Sequence, residues 1–160
     1  MSDFGAMDVS AIRAERAALQ QEEDAVSYVR RLTQGRIDLA RDEQRRRSAR
    51  EDSVNVERDL AGLFGKEQGG GSTRPPRETS VPTDHPLVRE LDVLCEEVGF
   101  GSLATLDDAS IDDAISRMVA FESQCSAERR RLFDRIDALT KELVSRYRDG
   151  GASVDALLEG

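Results

Sequence analysis

Five polar residues spaced along one side of a predicted α-helix could bind a charged ligand. They are Glu23, Ser27, Arg30, Gln34 and Asp38, at steps of 4, 3, 4 and 4 residues. At about 100° per residue, these side chains fall within an arc of roughly 80°. Apolar residues follow the edge of the same arc, at Ile12, Leu19, Val26 and Ile37. A helix that packs through these apolar residues would carry the polar set towards its partner.

The polar set recurs ninety-nine residues later with the same steps, as Glu122, Ser126, Arg129, Phe133 and Asp137. The one departure is Phe133, which stands where the first copy has Gln34. The repeat predicts two long helices that pair with pseudo-twofold symmetry and share a polar site. The helix from Arg30 to Arg50 is about as long as the helix from Ser110 to Arg129. An antiparallel pair with Arg30 beside Arg129 therefore needs a shorter connection than a parallel pair.

Each copy offers two carboxylates, a hydroxyl and a guanidinium. A guanidinium binds phosphate oxygens or the O6/N7 edge of guanine, and its plane stacks on bases. Carboxylates accept the N1 and N2 hydrogens of guanine. A ligand with two guanines, two phosphates and its own twofold axis would match both copies, and cyclic di-GMP is such a molecule. The alternative is that ion pairs from Glu23 to Arg129 and from Glu122 to Arg30 only set the helix register.

The complete pattern at Glu23 to Asp38, with its second copy at Glu122 to Asp137, resembles the signature of the RsiG family. These are cyclic di-GMP-dependent anti-sigma factors of filamentous actinobacteria, and two copies in one chain resemble the streptomycete type. The resemblance implies an antiparallel coiled coil that binds a cyclic di-GMP dimer and then sequesters a sporulation sigma factor of the WhiG type. The implied contacts are Glu23, Ser27, Arg30, Gln34, Asp38, Glu122, Ser126, Arg129 and Asp137. Phe133 cannot make the hydrogen bonds of a Gln side chain, which leaves apolar contact or ring stacking at this position.

Composition favours thin helices over a thick core and a protein partner over nucleic acid. The 160 residues are 34% charged and 4% aromatic, without Trp, which is typical of coiled coils. The net charge of −9 argues against direct nucleic-acid binding and favours a basic protein partner. The chain has no apolar run of membrane-spanning length, so we expect a cytoplasmic protein. We also expect it to be monomeric before partner binding.

The other chemical motifs are weak. Cys95 and Cys125 are too few and too far apart for a zinc site, so we expect thiols, with Cys125 in the core. His85, the single histidine, has no metal-binding or catalytic neighbour in the sequence. Without a nucleophile and base pair, a metal-ligand cluster or a phosphate loop, the sequence does not indicate an enzyme, and we expect no metal.

The predicted fold is all-α: an antiparallel two-helix coiled-coil hairpin with a short connecting helix and a flexible linker. Its segments are a flexible lead-in (1–9), a first long helix with copy 1 and an apolar end (10–66), a Gly/Pro-rich linker (67–85), a short amphipathic helix (86–100), a second long helix with copy 2 (101–149) and a tail (150–160). Predicted N-caps are Ser10 for the first long helix and Thr105 or Ser110 for the last.

Three features of the first long helix have two interpretations. Gly35 is either tolerated or lets a bulky group approach the backbone. The arginine run from Arg41 to Arg50 is either a solvated face with internal ion pairs or a contact surface for an anion. The apolar group Val54, Val56, Leu60, Leu63 and Phe64 either folds back or, with Leu87 to Val98, anchors a partner in a ligand-independent scaffold.

Overall fold

The computed structural model describes residues 4–56 and 84–150, apart from the side chains of residues 53–56. It contains three α-helices, α1 (Val9–Val56), α2 (Pro86–Glu97) and α3 (Asp108–Asp149), and a 3₁₀ helix over Phe100–Thr105. No strand occurs in the described ranges, and α1 packs against α3. The all-α prediction is therefore confirmed. The apolar group's Leu60, Leu63 and Phe64, most of the linker and the tail beyond Gly150 lie outside the described residues.

The chain divides into two compact units. Unit 1 comprises Met1–Arg31 with Glu122–Gly160, and unit 2 comprises Leu32–Phe121. Helices α1 and α3 each contribute one segment to both units.

Unit 1 packs the start of α1 against the second part of α3. Ile12 lies in one buried cluster with Leu139 and Leu143, whereas Arg30 pairs with Glu122. Since the α3 partner moves back along the chain as α1 advances, the two segments are antiparallel. The other buried apolar residues of these segments recur at helical spacing: Ala25, Val26 and Val29 on α1, and Cys125, Leu132 and Ile136 on α3. Cys125 is thus in the core as predicted, and Leu19 is only partly buried.

Three residues of the predicted flexible lead-in (1–9) pack in unit 1: Phe4, Met7 and Val9. Phe4 is 8% exposed and packs with Ile12, Leu139 and Leu143. The carbonyl of Phe4 also accepts a hydrogen bond from Arg146 Nη2 at 2.6 Å. Burial of the aromatic ring and a charged hydrogen bond to the backbone hold this segment in place.

Each long helix is capped at its start by an aspartate that the sequence prediction missed. The N–H of Ala11 donates to Asp8 Oδ1 at 2.7 Å, so Asp8 rather than Ser10 caps α1. Likewise, the N–H of Ser110 donates to Asp107 Oδ1 at 2.7 Å. The start of α3 is therefore capped by Asp107, not by Thr105 or Ser110. In both cases a carboxylate satisfies a donor that the first helical turn leaves free.

Unit 2 joins α1, α2 and α3 around a small core. Its buried residues include Thr33, Ile37 and Ala40 from α1, Leu91, Cys95 and Val98 from or just after α2, and Ile111, Ala114, Met118 and Phe121 from α3. Ile115, predicted for the apolar seam, is partly buried. The segments of α1 and α3 are antiparallel here too, since Gln44 contacts Asp112 and Arg47 contacts Asp108.

Helix α2 begins at Pro86, as predicted, but ends at Glu97, three residues before the predicted end at residue 100. Pro86 is in its first turn, and the His85 side chain accepts a hydrogen bond from the N–H of Leu87 at 3.2 Å. After the helix, Gly99 has φ +70°, a left-handed conformation that favours glycine. The residues after Gly99 form the 3₁₀ helix, so α3 begins at Asp108 and not near residue 101.

Candidate functional site: paired arginine and glutamate clusters

Two three-residue clusters bring members of both motif copies together inside unit 1. Each cluster consists of an arginine from one copy and a glutamate and serine from the other. We call them cluster A (Arg129, Glu23, Ser27) and cluster B (Arg30, Glu122, Ser126). The antiparallel arrangement of α1 and α3 explains the exchange, because the early part of each copy lies opposite the early part of the other.

Cluster A joins the second copy's arginine to the first copy's glutamate. Arg129 Nε lies 2.9 Å from Glu23 Oε1, and Ser27 Oγ donates to the same carboxylate oxygen. The Glu23 side chain is only 14% exposed. The steps of four and three residues place Ser27 one turn after Glu23 and Arg30 one turn after Ser27, all on the side of α1 that faces α3.

Cluster B repeats these connections with the copies exchanged. Arg30 Nη1 lies 3.4 Å from Glu122 Oε1, and Ser126 Oγ donates to that oxygen at 3.0 Å. The Arg30 contact is long for a charge-assisted hydrogen bond, which usually measures about 2.7–2.9 Å. In addition, Arg30 Nε is buried and has no hydrogen-bond partner within the described part of the chain. The guanidinium of Arg30 is thus held less tightly than that of Arg129.

Phe133, the residue that departs from the repeat, contacts cluster A. The Cζ atom of Arg129 lies 4.7 Å from the centroid of the Phe133 ring, a cation–π geometry. The Phe133 side chain is still 39% exposed, which places it among the exposed large apolar residues of the chain.

Three predicted contacts do not take part in the two clusters. Asp137 lies in unit 1 and is exposed. Gln34 and Asp38 lie in unit 2, where Gln34 is partly buried and Asp38 is exposed. A ligand role for these three residues stays a prediction.

The two clusters contain two guanidiniums and two carboxylates, so their formal charges balance. Phosphate groups of a ligand would therefore compete with Glu23 and Glu122 for the arginines. The described residues contain no group of three or more His, Cys, Asp or Glu side chains that could hold a metal ion. Cys95 and Cys125 are buried thiols.

The structure bears on two features of α1 that had two interpretations, Gly35 and the arginine run. A Cβ atom at Gly35 would meet no neighbouring atom within 4 Å, so no packing within the described part of the chain requires glycine there. In the arginine run, internal ion pairs form from Arg45 to Asp42 and from Arg46 to Glu43. These ion pairs agree with the solvated-face interpretation for that part of the run.

Arg47 has a structural role that the sequence did not reveal. Its Nε lies 3.1 Å from Glu43, its Nη1 lies 2.9 Å from Asp108, and its Nη2 donates to the Leu103 carbonyl at 3.1 Å. Hydrogen bonds to Asp108 and then Glu43 raise the pKa of Arg47. Arg47 thereby ties α1 to the turn that precedes α3. Its partners on that turn are more than fifty residues away in sequence, so helical spacing could not identify them.

Comparison with known proteins identifies the first part of the chain. Residues 1–63 match the family model described as RsiG-like. The first part of the chain is therefore similar to the RsiG-like family, and the match covers less than half of the 160 residues. The match includes the first motif copy, whereas the second copy and cluster B's Glu122 and Ser126 lie beyond it. The comparison with curated proteins found no match.

The RsiG-like family is one of regulatory anti-sigma factors and not of enzymes. The match to this family favours a regulatory role with a sigma factor as partner. None of the described helices has an apolar stretch long enough to cross a bilayer.

Proposed function

We propose that this RsiG-like chain is an anti-sigma factor that binds cyclic di-GMP, as a dimer, between its two long helices. In that state it sequesters a sporulation sigma factor of the WhiG type in the cytoplasm and blocks transcription. The ligand contacts are the nine motif residues: Glu23, Ser27, Arg30, Gln34, Asp38, Glu122, Ser126, Arg129 and Asp137. Clusters A and B form the centre of this site, and Gln34, Asp38 and Asp137 belong to it by their motif positions.

The observation that carries the proposal is the pair of clusters, which repeat one set of groups with the copies exchanged. A twofold-symmetric ligand can meet equivalent groups on both helices. The Arg30 guanidinium also retains a buried donor without a partner among the described residues. Leaving such a donor unsatisfied costs about 1–3 kcal/mol, which rearrangement around a phosphate or guanine acceptor would recover.

The first experiment is calorimetric titration of the chain with cyclic di-GMP, with cyclic di-AMP as the control. We expect saturable binding of the guanine ligand at about two molecules per chain and no comparable binding of the adenine analogue, because the carboxylates recognise guanine N–H groups. Binding of both ligands with equal affinity, or of neither, would contradict the proposed ligand.

The second experiment measures the coupling between ligand and sigma factor. If both bind the same state of the chain, each must raise the affinity for the other by the same factor. The affinity for a WhiG-type sigma factor is therefore measured with and without saturating cyclic di-GMP. An unchanged affinity would contradict a ligand-dependent anti-sigma factor.

A second candidate function is a ligand-independent coiled-coil scaffold. It is supported by the two pairs that a register role predicts, Arg129 with Glu23 and Arg30 with Glu122. The same role loses one of its predicted partner surfaces, since Leu91, Cys95 and Val98 are buried inside unit 2. Retention of a protein partner after all nucleotide has been removed would favour the scaffold.

A further inference from the structure

The two motif copies differ at one position, and unit 1 shows what the difference does to the neighbouring arginine. Phe133 lies one helical turn after Arg129, so their side chains meet on the surface of α3. The ring lies 4.7 Å below the guanidinium carbon, and Arg129 also holds Glu23 at 2.9 Å. Arg30, in contrast, has a 3.4 Å contact with Glu122 and a buried Nε without a partner in the described residues.

The Phe133 ring restricts Arg129 before any ligand arrives. A guanidinium that is fixed by an ion pair and by a ring face has fewer rotamers to lose when it binds an anion. Cluster A is therefore more preorganised than cluster B.

The ring also offers a surface that glutamine cannot offer. Phe133 is 39% exposed, beside a guanidinium that itself stacks on bases. Aromatic side chains stack on nucleobases, since every base has a π-face. A Gln side chain would instead make hydrogen bonds to the edge of a base.

From these contacts we infer that Phe133 is a ligand-binding residue of the nucleotide site. It stacks on one guanine of the bound ligand and positions Arg129 for that guanine or its phosphate. The half of the site that contains Phe133 consequently recognises a ring face of the ligand. This inference rests on the proposed binding of cyclic di-GMP.

The chain contains a matched control for this inference. Tyr147 is 41% exposed, and its ring lies 5.4 Å from the Cζ of Arg13. It forms the same type of pair with similar exposure, yet it stands outside both motif copies. Fourteen residues of α3 separate it from Phe133, which is about 21 Å along the helix.

The test combines affinity with a stacking signal. We expect F133L to weaken cyclic di-GMP binding by about 5- to 100-fold, as loss of one base-stacking contact does, whereas F133Y stays near the unaltered affinity. Y147L should bind as the unaltered chain does. Because the chain contains no Trp, F133W supplies a single indole, whose fluorescence a stacked guanine quenches. Y147W should show no quenching on addition of cyclic di-GMP.

Three outcomes are distinguishable. If the unaltered chain fails to bind cyclic di-GMP, the proposed function is wrong and the role of Phe133 falls with it. If the unaltered chain binds but F133L binds equally well, or F133W binds without quenching, only the role of Phe133 is overturned. Should F133L not fold, which its melting curve would reveal, the quenching of F133W still decides, since that variant keeps an aromatic ring.

Discussion

Arginines connect distant segments of the chain in two different ways in this protein. The two motif arginines, Arg30 and Arg129, reach glutamates on the opposite long helix within unit 1. Two other arginines, Arg47 in unit 2 and Arg146 in unit 1, direct donors at backbone carbonyls as well as at carboxylates. We call Arg47 and Arg146 the clasp arginines.

The clasp arginines place a donor on each of several fixed acceptors. Arg146 Nε lies 2.8 Å from Glu142, its Nη2 lies 2.6 Å from the Phe4 carbonyl, and its Nη1 donates to the Met7 carbonyl. Backbone carbonyls cannot change rotamer as side chains do, so a guanidinium bound to them stabilises the fold and is not available to a ligand. A guanidinium bound to a glutamate can exchange that partner for a ligand. The difference predicts stability defects from the clasp arginines and binding defects from the motif arginines.

The largest expected effect is loss of ligand binding in R30A and R129A. Each substitution removes a guanidinium that would contact phosphate or guanine, and a charged hydrogen bond to a buried ligand group contributes about 1.5–3 kcal/mol. We expect affinity for cyclic di-GMP to fall at least about tenfold in each variant and more than a hundredfold in the double variant. Calorimetric titration measures the change. The melting temperature should move little, because partly exposed ion pairs contribute about 0–1 kcal/mol.

The adjacent exposed arginines provide the control for this experiment. R31A and R130A remove the same charge at equivalent positions of the two copies, one residue along from the motif. Their affinity for cyclic di-GMP should stay within a few-fold of the unaltered chain. Equal losses from R30A and R31A would mean that general charge, and not the site, attracts the ligand.

The next effect is a loss of stability in R47A. This substitution leaves the buried Glu43 without one of its partners and releases the Leu103 carbonyl at the turn before α3. We expect the melting temperature to fall by several degrees while the affinity of the folded chain for cyclic di-GMP is unchanged. An R47A chain that melts normally but fails to bind would mean that Arg47 acts in ligand binding, as the motif arginines do.

A smaller loss is expected from R146A, because it releases only the segment before α1. Phe4 and Met7 would lose their carbonyl hydrogen bonds to Arg146, although the Phe4 ring can remain packed on Ile12 and Leu143. We expect about 1–2 kcal/mol of destabilisation, the contribution of a charged hydrogen bond to a partly exposed group. Chemical denaturation measures it. F4A offers a comparison that removes the ring but keeps the carbonyl, and unchanged stability in both variants would mean that the segment contributes nothing.

The sequence predicted the parts of the fold that depend on periodicity. Apolar residues such as Val26, Ile37 and Ile136 recur every three or four positions, so the long helices and their buried sides followed from spacing alone. The repeat of Glu23 and Arg30 as Glu122 and Arg129 then predicted which side chains meet across the antiparallel pair. The structure has both of those ion pairs.

The sequence could not predict contacts between residues that no period connects. Arg47 and the Leu103 carbonyl, or Arg146 and the Phe4 carbonyl, meet only because the helices are already packed. The predicted N-caps of the two long helices were wrong for a different reason. Asp8 and Asp107 compete with nearby Ser10, Thr105 and Ser110 as plausible caps, and a shift of two residues changes nothing in the apolar pattern.

The smallest predicted effect is a pH dependence at Asp107, beside the Arg47 clasp. Hydrogen bonds from the Ser110 hydroxyl and then the Ser110 N–H lower the pKa of Asp107 below its ordinary value of 3.8, with a minor contribution from the charge of Arg47. A lowered pKa in the folded state means that the ionised carboxylate stabilises the fold above pH 3.8 and that this contribution is lost as the pH falls through the folded pKa.

D107N removes the titration but keeps a side chain that caps helices well. The unaltered chain should therefore melt slightly above D107N at pH 7, and the difference should shrink in acid below the ordinary pKa. S110A should narrow the difference at pH 7 strongly and R47A weakly, whereas R30A should leave it unchanged. If the difference in melting temperature between the unaltered chain and D107N does not depend on pH, the Asp107 charge does not stabilise the start of α3. If R47A and R30A change that difference equally, the clasp and motif arginines do not differ at this position.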